Sequence, residues 1–412
     1  MSSYIRIKCS PIRSMRNNFM LQMASPSVFG KEELTKPVNR SKLIAEDGQS
    51  HELRLPCSFA RTRDGVCNRF HCSAPPRTLR VGLFVIPRII YILLLATFLH
   101  AQNANLGTAG AQFLKIPIGA RSAALGGAVT GMSQDATALF WNPAGIIHNH
   151  THALHVSHIP WITFFEVNAL AYTLNLKEQG AIGMYARALA MEKLEITTEY
   201  EPDGTGEFFD SQDLEMGVSY ARKLIDHFSF GVTVKFIRQR IWNEIASGIA
   251  FDFGTHYNIG FQNATIAMSL RNFGPDLKMD GPDLLVFYDS SDDFPNRLIP
   301  SNKNTEAYPL PLIFQFGMGI DLIKAQFFQS RLAVDVIHYN DNDEQVLMGL
   351  ESTIAQRFIV RGGYRFNQNE AQPSLGVGLH QRIEKMVIKL DYAFVMHEYL
   401  GDTRFLSLDI IF

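Results

Sequence analysis

Cysteine is absent from most of the chain. The 412-residue sequence has four cysteines, and all of them lie within the first 72 residues. A long body without thiols is typical of a protein exported to an oxidising compartment, where unpaired thiols are reactive. Cys67, His71 and Cys72 lack the paired spacing of a zinc knuckle, so we do not expect a zinc site there.

Long apolar helices and catalytic motifs are also missing. The apolar run at residues 89–99 has eleven residues, whereas a membrane-spanning helix needs about 20. The sequence contains no G-x-S-x-G, H-E-x-x-H or P-loop motif, and no nucleophile lies at a recognised spacing from a base. We therefore expect neither an enzyme nor a cofactor.

Positive charge is scarce in the major part of the chain. Residues 1–80 hold 14 Lys and Arg against 6 Asp and Glu, while residues 102–412 hold 23 against 34. Nucleic-acid binding needs clustered positive charge that displaces counterions from phosphate. The acidic major part therefore argues against nucleic acid as a partner.

A secretory signal is predicted well inside the sequence. Arg80 and Arg88 supply a positively charged region before the apolar run, and Ala101 precedes a plausible cleavage point. Because a signal peptide normally opens a chain, we interpret residues 1–79 as a misassigned upstream segment or a disordered extension. The predicted domains are then a signal peptide at 80–101, a plug at 102–148 and a barrel at 149–412.

Alternating apolar and polar residues dominate the chain after residue 150. Between residues 228 and 236, every second residue is apolar, and the residues between them are Ser229, Gly231, Thr233 and Lys235. A period of two over about ten residues with one apolar face is typical of a transmembrane β-strand. The pattern predicts fourteen strands, near residues 152–159, 166–176, 180–191, 213–224, 228–241, 247–258, 263–272, 311–322, 329–339, 344–353, 357–367, 373–382, 385–396 and 403–412.

The links between these strands alternate in length. Short links follow the even-numbered strands, and the long ones, including 192–212 and 273–310, follow odd-numbered strands. Transmembrane barrels have short turns on one side and long loops on the other. The sequence therefore predicts an all-β, transmembrane antiparallel barrel of about 14 strands, in contact with bacterial outer-membrane lipid. Its last strand ends in Phe412 and resembles the terminal strand that barrel-assembly machinery recognises.

Charged residues within the predicted strands are expected to face the lumen. A charge on the lipid face costs ~2–4 kcal/mol at the bilayer midplane, so inward charges should form pairs. The residues assigned to the lumen on this basis are Asp335, Glu351, Arg357, Arg361, Arg365, Lys389 and Asp391.

Two further groups are candidates for binding. His148, His150 and His152 would face the same way in an extended strand, as metal ligands do. We prefer a polar strand entrance, because no carboxylate lies among these histidines to orient them. In the second long link, Leu284, Leu285, Phe287 and Tyr288 form an apolar patch suited to docking or to ligand binding.

A family resemblance lies just after the predicted signal. Residues 107–146 read GTAGAQFLKIPIGARSAALGGAVTGMSQDATALFWNPAGI, which resembles the N-terminal signature of the PorV/PorQ family of outer-membrane proteins. That family is similar to the FadL-type long-chain fatty-acid transporters. The residues that carry the resemblance are Gly119, Arg121, Gly126, Gly127, Asp135, Asn142, Pro143 and Gly145.

The resemblance implies a fourteen-stranded barrel with an N-terminal plug of helix and coil, a hatch, inside its lumen. PorV-like members act in type IX secretion, binding the C-terminal signal domains of cargo and bringing them to surface attachment. FadL-like members let hydrophobic molecules pass. We favour the secretion role because the signature is close, and a channel for hydrophobic solutes is the alternative. In the plug, Asp135 is expected to cap a short helix that Asn142 and Pro143 end.

The predicted signal peptide can be tested directly. Because the predicted cleavage point follows Ala101, N-terminal sequencing of the mature protein should begin at or close to Gln102. Detection of residues before Arg80 in the mature chain would contradict this interpretation of the upstream segment.

Overall fold

The computed structural model describes residues 105–149, 152–289, 298–366, 372–397 and 401–412. All of these belong to one of two compact units, Leu99–Phe412. The predicted upstream segment and signal peptide lie outside the described residues, as does His150.

Within residues 105–149, four short helical segments precede the first strand. They are a 3-10 helix at Gln112–Lys115, helix α1 at Ala120–Ala124, helix α2 at Ala138–Trp141 and a 3-10 helix at Pro143–His148. Most of their residues are buried. In the described part of the chain, no helix is both long and apolar enough to cross a membrane.

Fourteen antiparallel strands follow and close into a barrel. Each strand pairs with its neighbour in sequence, and the first pairs with the last, so that Val156 lies opposite Leu408. The predicted number and order of strands are confirmed, with boundaries shifted by no more than three residues. The strands are β1 His152–Pro160, β2 Phe165–Asn175, β3 Ala181–Met191, β4 Ser211–Ile225, β5 Phe228–Ile241, β6 Glu244–Asn258, β7 Thr265–Phe273, β8 Ile313–Lys324, β9 Phe328–Tyr339, β10 Gln345–Ile354, β11 Phe358–Phe366, β12 Gln372–Ile383, β13 Met386–Val395 and β14 Thr403–Ile411.

The outer face of the barrel is apolar and the inner face is polar or small. In β5, Val234 is 48% exposed, while its neighbours Thr233 and Lys235 are 0% and 3% exposed. The same alternation of burial recurs along the other strands. A closed sheet with apolar side chains outward meets the requirement that lipid imposes on a spanning structure. The protein is therefore a membrane-spanning β-barrel.

The links distinguish two ends of the barrel. At the end that we call inner, neighbouring strands are joined by short turns such as residues 226–227 and 384–385. At the other, outer end, the long links 192–210 and 274–312 each contain a small hairpin. Not every outer link is long, since residues 242–243 alone join β5 to β6.

The lipid-facing assignment predicts a stability difference that depends on depth. Val377 lies near the middle of β12, whereas Ile383 ends it, and both have the outward parity of that strand. Val377→Arg should lower the free energy of unfolding by about 2–4 kcal/mol, and Ile383→Arg by about 0–1 kcal/mol, because only the first places a cation deep in hydrocarbon. Urea unfolding in lipid vesicles measures both. Equal losses would contradict the assignment.

Candidate functional site: plug, wall and outer end

The plug occupies the lumen through an apolar core shared with the wall. Leu125, Met132, Leu139 and Ile146 of the plug are at most 1% exposed. They belong to one cluster with inward side chains of the wall, among them Ala169, Ile313, Ala333 and Leu347. Burial of this apolar surface holds the plug inside the barrel.

Inward-facing glycines of the wall make room for the plug. A Cβ atom on Gly363 would collide with the backbone nitrogen of Gly126, and one on Gly231 would lie 2.5 Å from the backbone of Pro143. Sequence reasoning missed these positions, although glycine at an inward site of a strand indicates close backbone approach. The wall glycines that meet the plug in this way are Gly183, Gly231, Gly254, Gly317, Gly319, Gly349, Gly363 and Gly376.

The paired glycines of the plug motif are required by backbone geometry. Gly126 and Gly127 have φ angles of 65° and 86°, which L-residues with a Cβ rarely adopt. In addition, a Cβ on Gly126 would lie 3.0 Å from the backbone nitrogen of Tyr364. The chain therefore turns here against strand β11, where a side chain would not fit.

Arg121 joins the plug to the wall by charge. Its Nε and Nη2 donate to the two carboxylate oxygens of Glu351 at 2.8 and 3.1 Å, and its Nη1 donates to Asp135 at 3.1 Å. Burial alone would raise the pKa of Asp135, but the charges of Arg121 and then Lys389 outweigh it and lower that pKa. The plug motif thus supplies both signs of charge to one buried network.

The network continues through the wall residues assigned to the lumen from the sequence. Arg361 Nε donates to Glu351 at 2.8 Å, and Arg361 Nη1 donates to Asp391 at 2.6 Å. Lys389 lines a polar cavity of about 200 Å³ beside these groups, toward the inner end. Paired in this way, the buried charges avoid most of the cost that an isolated ion would pay.

Asp335 lies inward as assigned, but none of its contacts with the described residues is with a cation. It accepts from the backbone N–H of Thr130 at 2.9 Å and from Gln315 Nε2 at 2.8 Å. Asp335 therefore fixes the plug backbone by hydrogen bonds rather than by an ion pair.

Arg357 and Arg365 depart from the expected pairing. Strand β11 begins at Phe358, so Arg357 lies in the turn at the inner end, where it is exposed rather than lumenal. This turn consists of residues 355–357, and Ala355 and Gln356 within it have the positive φ angles of a tight reversal. Arg365 does face inward, at the outer end of the same strand.

The end of the plug is organised by Asn142. Its Oδ1 accepts from the backbone N–H of Ala144 at 3.1 Å, and its Nδ2 donates to the carbonyl of Thr255 in β6 at 3.0 Å. Pro143 opens the last 3-10 helix, and a Cβ on Gly145 would collide with the carbonyl of Ser133. Steric limits or hydrogen bonds therefore explain why these three residues occupy their positions at the end of the plug.

Asp135 does not cap helix α2 as expected from the sequence. The residue before the helix is Thr137, and no side chain caps it. Asp135 instead accepts from the backbone N–H of Thr137 at 3.0 Å. This local turn leaves its other oxygen free to pair with Arg121.

A second buried network was not anticipated. Glu215 accepts from Arg187 Nε at 2.7 Å and from the Tyr185 hydroxyl at 2.9 Å, and Lys235 lies 3.2 Å from it. Lys235 also pairs with Asp252 at 2.9 Å. Arg187 Nη1 donates to the carbonyl of plug residue Ile116 at 3.2 Å. The inward parity of these positions along β3 to β6 is the sequence signal that would have revealed them.

The histidine group does not form one strand face. His148 lies in the 3-10 helix, with its ring centroid 4.5 Å from that of His256, whereas His152 bonds the Tyr172 hydroxyl at 2.7 Å. Burial, and then His256, lower the pKa of His148 to about 4, so its ring is neutral at pH 7. Among the described residues, no group of three or more His, Cys, Asp or Glu could hold a metal.

The second long link carries the apolar patch and touches the plug. Leu285 and Phe287 are 48% and 62% exposed, and Leu284 is half-buried. Tyr288 belongs to the same hairpin. At the base of the link, the backbone N–H of Gly110 donates to the carbonyl of Pro309 at 3.0 Å, and Leu277 shares one buried apolar cluster with Phe113 of the plug. The outer loop and the start of the plug therefore form one packed unit.

Two cavities complete the description of the barrel. A cleft of about 380 Å³, the outer cleft, lies at the outer end between the plug and the wall, beside Lys115, Trp161 and Arg365. An apolar groove of about 670 Å³ lies on the wall across β2 to β6, beside Leu170, Met216 and Phe236. The outer cleft mixes polar and apolar groups, whereas the groove faces lipid.

Comparison with known proteins finds one family match. Residues 99–281 match the family described as type IX secretion system protein PorV. The resemblance carried by the plug motif is thereby confirmed. No match was found among curated protein sequences.

Several solved structures are similar at low identity. The toluene transporter TbuX of Ralstonia pickettii is 12% identical, with a TM-score of 0.45 over 71% of this chain and 97% of that one. The toluene transporter TodX of Pseudomonas putida is 12% identical, with a TM-score of 0.46 over 71% and 96%. A FadL homologue from Pseudomonas aeruginosa is 9% identical, with a TM-score of 0.46 over 72% and 98%.

Two adjacent glycines of β11 test how closely the plug fits the wall. Gly363→Val should destabilise the protein by about 1–3 kcal/mol, because its side chain would displace the plug backbone at Gly126. Gly362→Val is the matched control, since a Cβ there meets only Leu375, at 3.8 Å. Barrel stability is measured as the temperature at which the folded protein loses its faster migration on gels. Proteolysis of residues 105–149 measures separately how firmly the plug is held. Equal behaviour of the two variants would contradict the fit.

Proposed function

Since the chain is an outer-membrane barrel that matches PorV over residues 99–281, we propose that it is a non-enzymatic accessory of type IX protein secretion. In this role it binds secreted cargo through the C-terminal signal domain and brings it to surface attachment. The family match is the single observation that carries the proposal.

The filled lumen supports an accessory role over passage through the barrel. The plug shares its apolar core with the wall and is tied to it by Arg121, Asp335 and Asn142. Passage of a chain through the lumen would require all of these contacts to break. Cargo binding at the outer end requires no such opening.

The two long outer links are the proposed docking surface. Leu285 and Phe287 expose apolar side chains on the hairpin of link 274–312, and Phe208 is 54% exposed in link 192–210. Aromatic and aliphatic side chains that can be fully covered contribute most of the affinity in protein interfaces. The packed base of the second link gives these side chains a rigid support.

A hydrophobic-solute channel is the second candidate function. The groove on β2 to β6 favours it, because its lining is almost wholly apolar and lies against the membrane. A solute in that groove would be in contact with lipid from the start. Loss of solute uptake on deletion of the gene, with surface proteins unchanged, would favour the channel over the secretion role.

Assembly into the membrane is proposed to depend on the last strand. Leu406 and Phe412 are 47% and 50% exposed on the outer face of β14, and Phe412 stacks on His152 with ring centroids 5.2 Å apart. An exposed terminal aromatic residue is available to the barrel-assembly machinery before the barrel closes onto β1.

The docking surface can be tested in cells that use type IX secretion. A Leu285→Ser and Phe287→Ser double variant should reduce surface attachment of cargo severalfold, because it removes apolar contact area without touching the barrel. Phe327→Ser is the control, since Phe327 is 73% exposed at the inner end. Surface proteins are quantified by labelling intact cells.

Two results would count against the secretion role. One is a deletion strain with a normal set of surface proteins. The other is failure of the purified barrel to retain the C-terminal domains of secreted proteins in a pull-down in which the folded state of the barrel is verified.

A further inference from the structure

The outer cleft contains Arg365, which lacks the carboxylate partners that Arg361 has on the same strand. Arg361 and Arg365 both face inward on β11, four residues apart. Arg361 pairs with Glu351 and Asp391 at 2.8 and 2.6 Å. For Arg365, no hydrogen bond or ion pair joins its side chain to the residues that the structure describes, and its Nε is buried. A buried donor without a partner carries a desolvation cost that an anionic ligand would relieve.

The other cation of the cleft is already neutralised. Lys115 Nζ lies 2.5 Å from Asp341 Oδ1 and 4.9 Å from the centroid of the Tyr339 ring. Arg365 reaches over the plug at Gly127, where a Cβ atom would lie 3.2 Å from its Nη2. Arg365 is therefore the cation in the lining of the outer cleft that has no carboxylate partner among the described residues.

Apolar side chains lie in the same cleft. Trp161 is half-buried, with its ring edge-on to His397 at 6.2 Å between centroids, and Val395 and Phe405 also line the cavity. A guanidinium beside aromatic and aliphatic walls suits a carboxylate that is attached to an apolar group.

Polar groups in the lining distinguish a peptide from an alkyl chain. Gln112 and Ser374 line the cleft and carry amide and hydroxyl oxygens that accept hydrogen bonds. An alkyl chain would cover the exposed amide of Gln112 without offering it a hydrogen bond, which costs free energy. The main chain of a peptide offers N–H and C=O groups in return.

We propose that the outer cleft binds the free C-terminal carboxylate of a peptide chain, with Arg365 holding the carboxylate and Trp161 and Phe405 contacting an apolar last side chain. The cleft opens at the end that carries the long links, so the peptide enters from outside the cell. Identification of this peptide as the C-terminus of secreted cargo rests on the proposed function. The binding itself is measurable without secretion.

Calorimetric titration of the full-length mature barrel in lipid nanodiscs tests the site. The probe is an acetylated tetrapeptide, Ser-Gly-Leu-Phe, with either a free C-terminal carboxylate or a C-terminal amide. The acid should bind at least about tenfold more tightly than the amide, since the amide lacks the negative charge that would pair with the guanidinium. Arg365→Gln should abolish this difference.

Arg357→Gln is the matched control, because Arg357 is an exposed arginine beside the same strand at the opposite end. It should keep the preference for the acid. Migration of each folded variant on gels verifies that the barrel is intact, and Arg365→Lys, which retains the charge, should keep part of the preference if Arg365→Gln fails to fold.

Equal binding of acid and amide, or an unchanged preference in Arg365→Gln, would overturn the inference. Binding of decanoate in the absence of any peptide binding would also overturn it, and would assign the cleft to fatty acids. None of these outcomes depends on surface attachment of cargo. The proposed function fails separately, if deletion of the gene leaves surface proteins unchanged.

Discussion

The whole interior depends on the pairing of charges that are removed from water. Arg121 of the plug lies between Glu351 of the wall and Asp135 of the plug, and Glu351 in turn is shared with Arg361. A charge left alone in such a place would destabilise the protein by several kcal/mol, so each member holds the others in position. The plug is thus an electrostatic partner of the wall as well as its apolar filling.

Close backbone contact between plug and wall explains why the lumen is filled. The wall presents glycine where the plug turns at Gly126 and where it ends near Pro143. Backbones that approach this closely exclude water, which strengthens the hydrogen bond that Asn142 donates and the one that Asp335 accepts. A barrel built in this way is suited to binding at its outer surface, and movement of the plug would require many contacts to break together.

Arg365 is one of the inward charges for which the described residues supply no charged partner, as is Asp335. Arg361, on the same face of β11, has two carboxylate partners, and Lys115 in the same cleft has Asp341. Proteins retain uncompensated buried groups mainly where a ligand or a reaction uses them. The difference on one strand between Arg361, which is paired, and Arg365, which the described residues leave unpaired, therefore indicates a ligand site more specifically than the net charge of the cleft does.

The sequence by itself determined the barrel, because the alternation of apolar and polar residues along a strand is a local pattern. Val234 and Lys235, which are adjacent, lie on opposite faces of β5. The short links between strands determined their order in the sheet. The sequence also placed Glu351, Arg361 and Asp391 in the lumen by parity. Only the tertiary structure decided which groups meet, since Arg121 and Glu351 are 230 residues apart in sequence. Their contact depends on barrel closure and on the path of the plug. The same reason separates Arg357, which falls in a turn, from Arg365, which reaches the outer cleft.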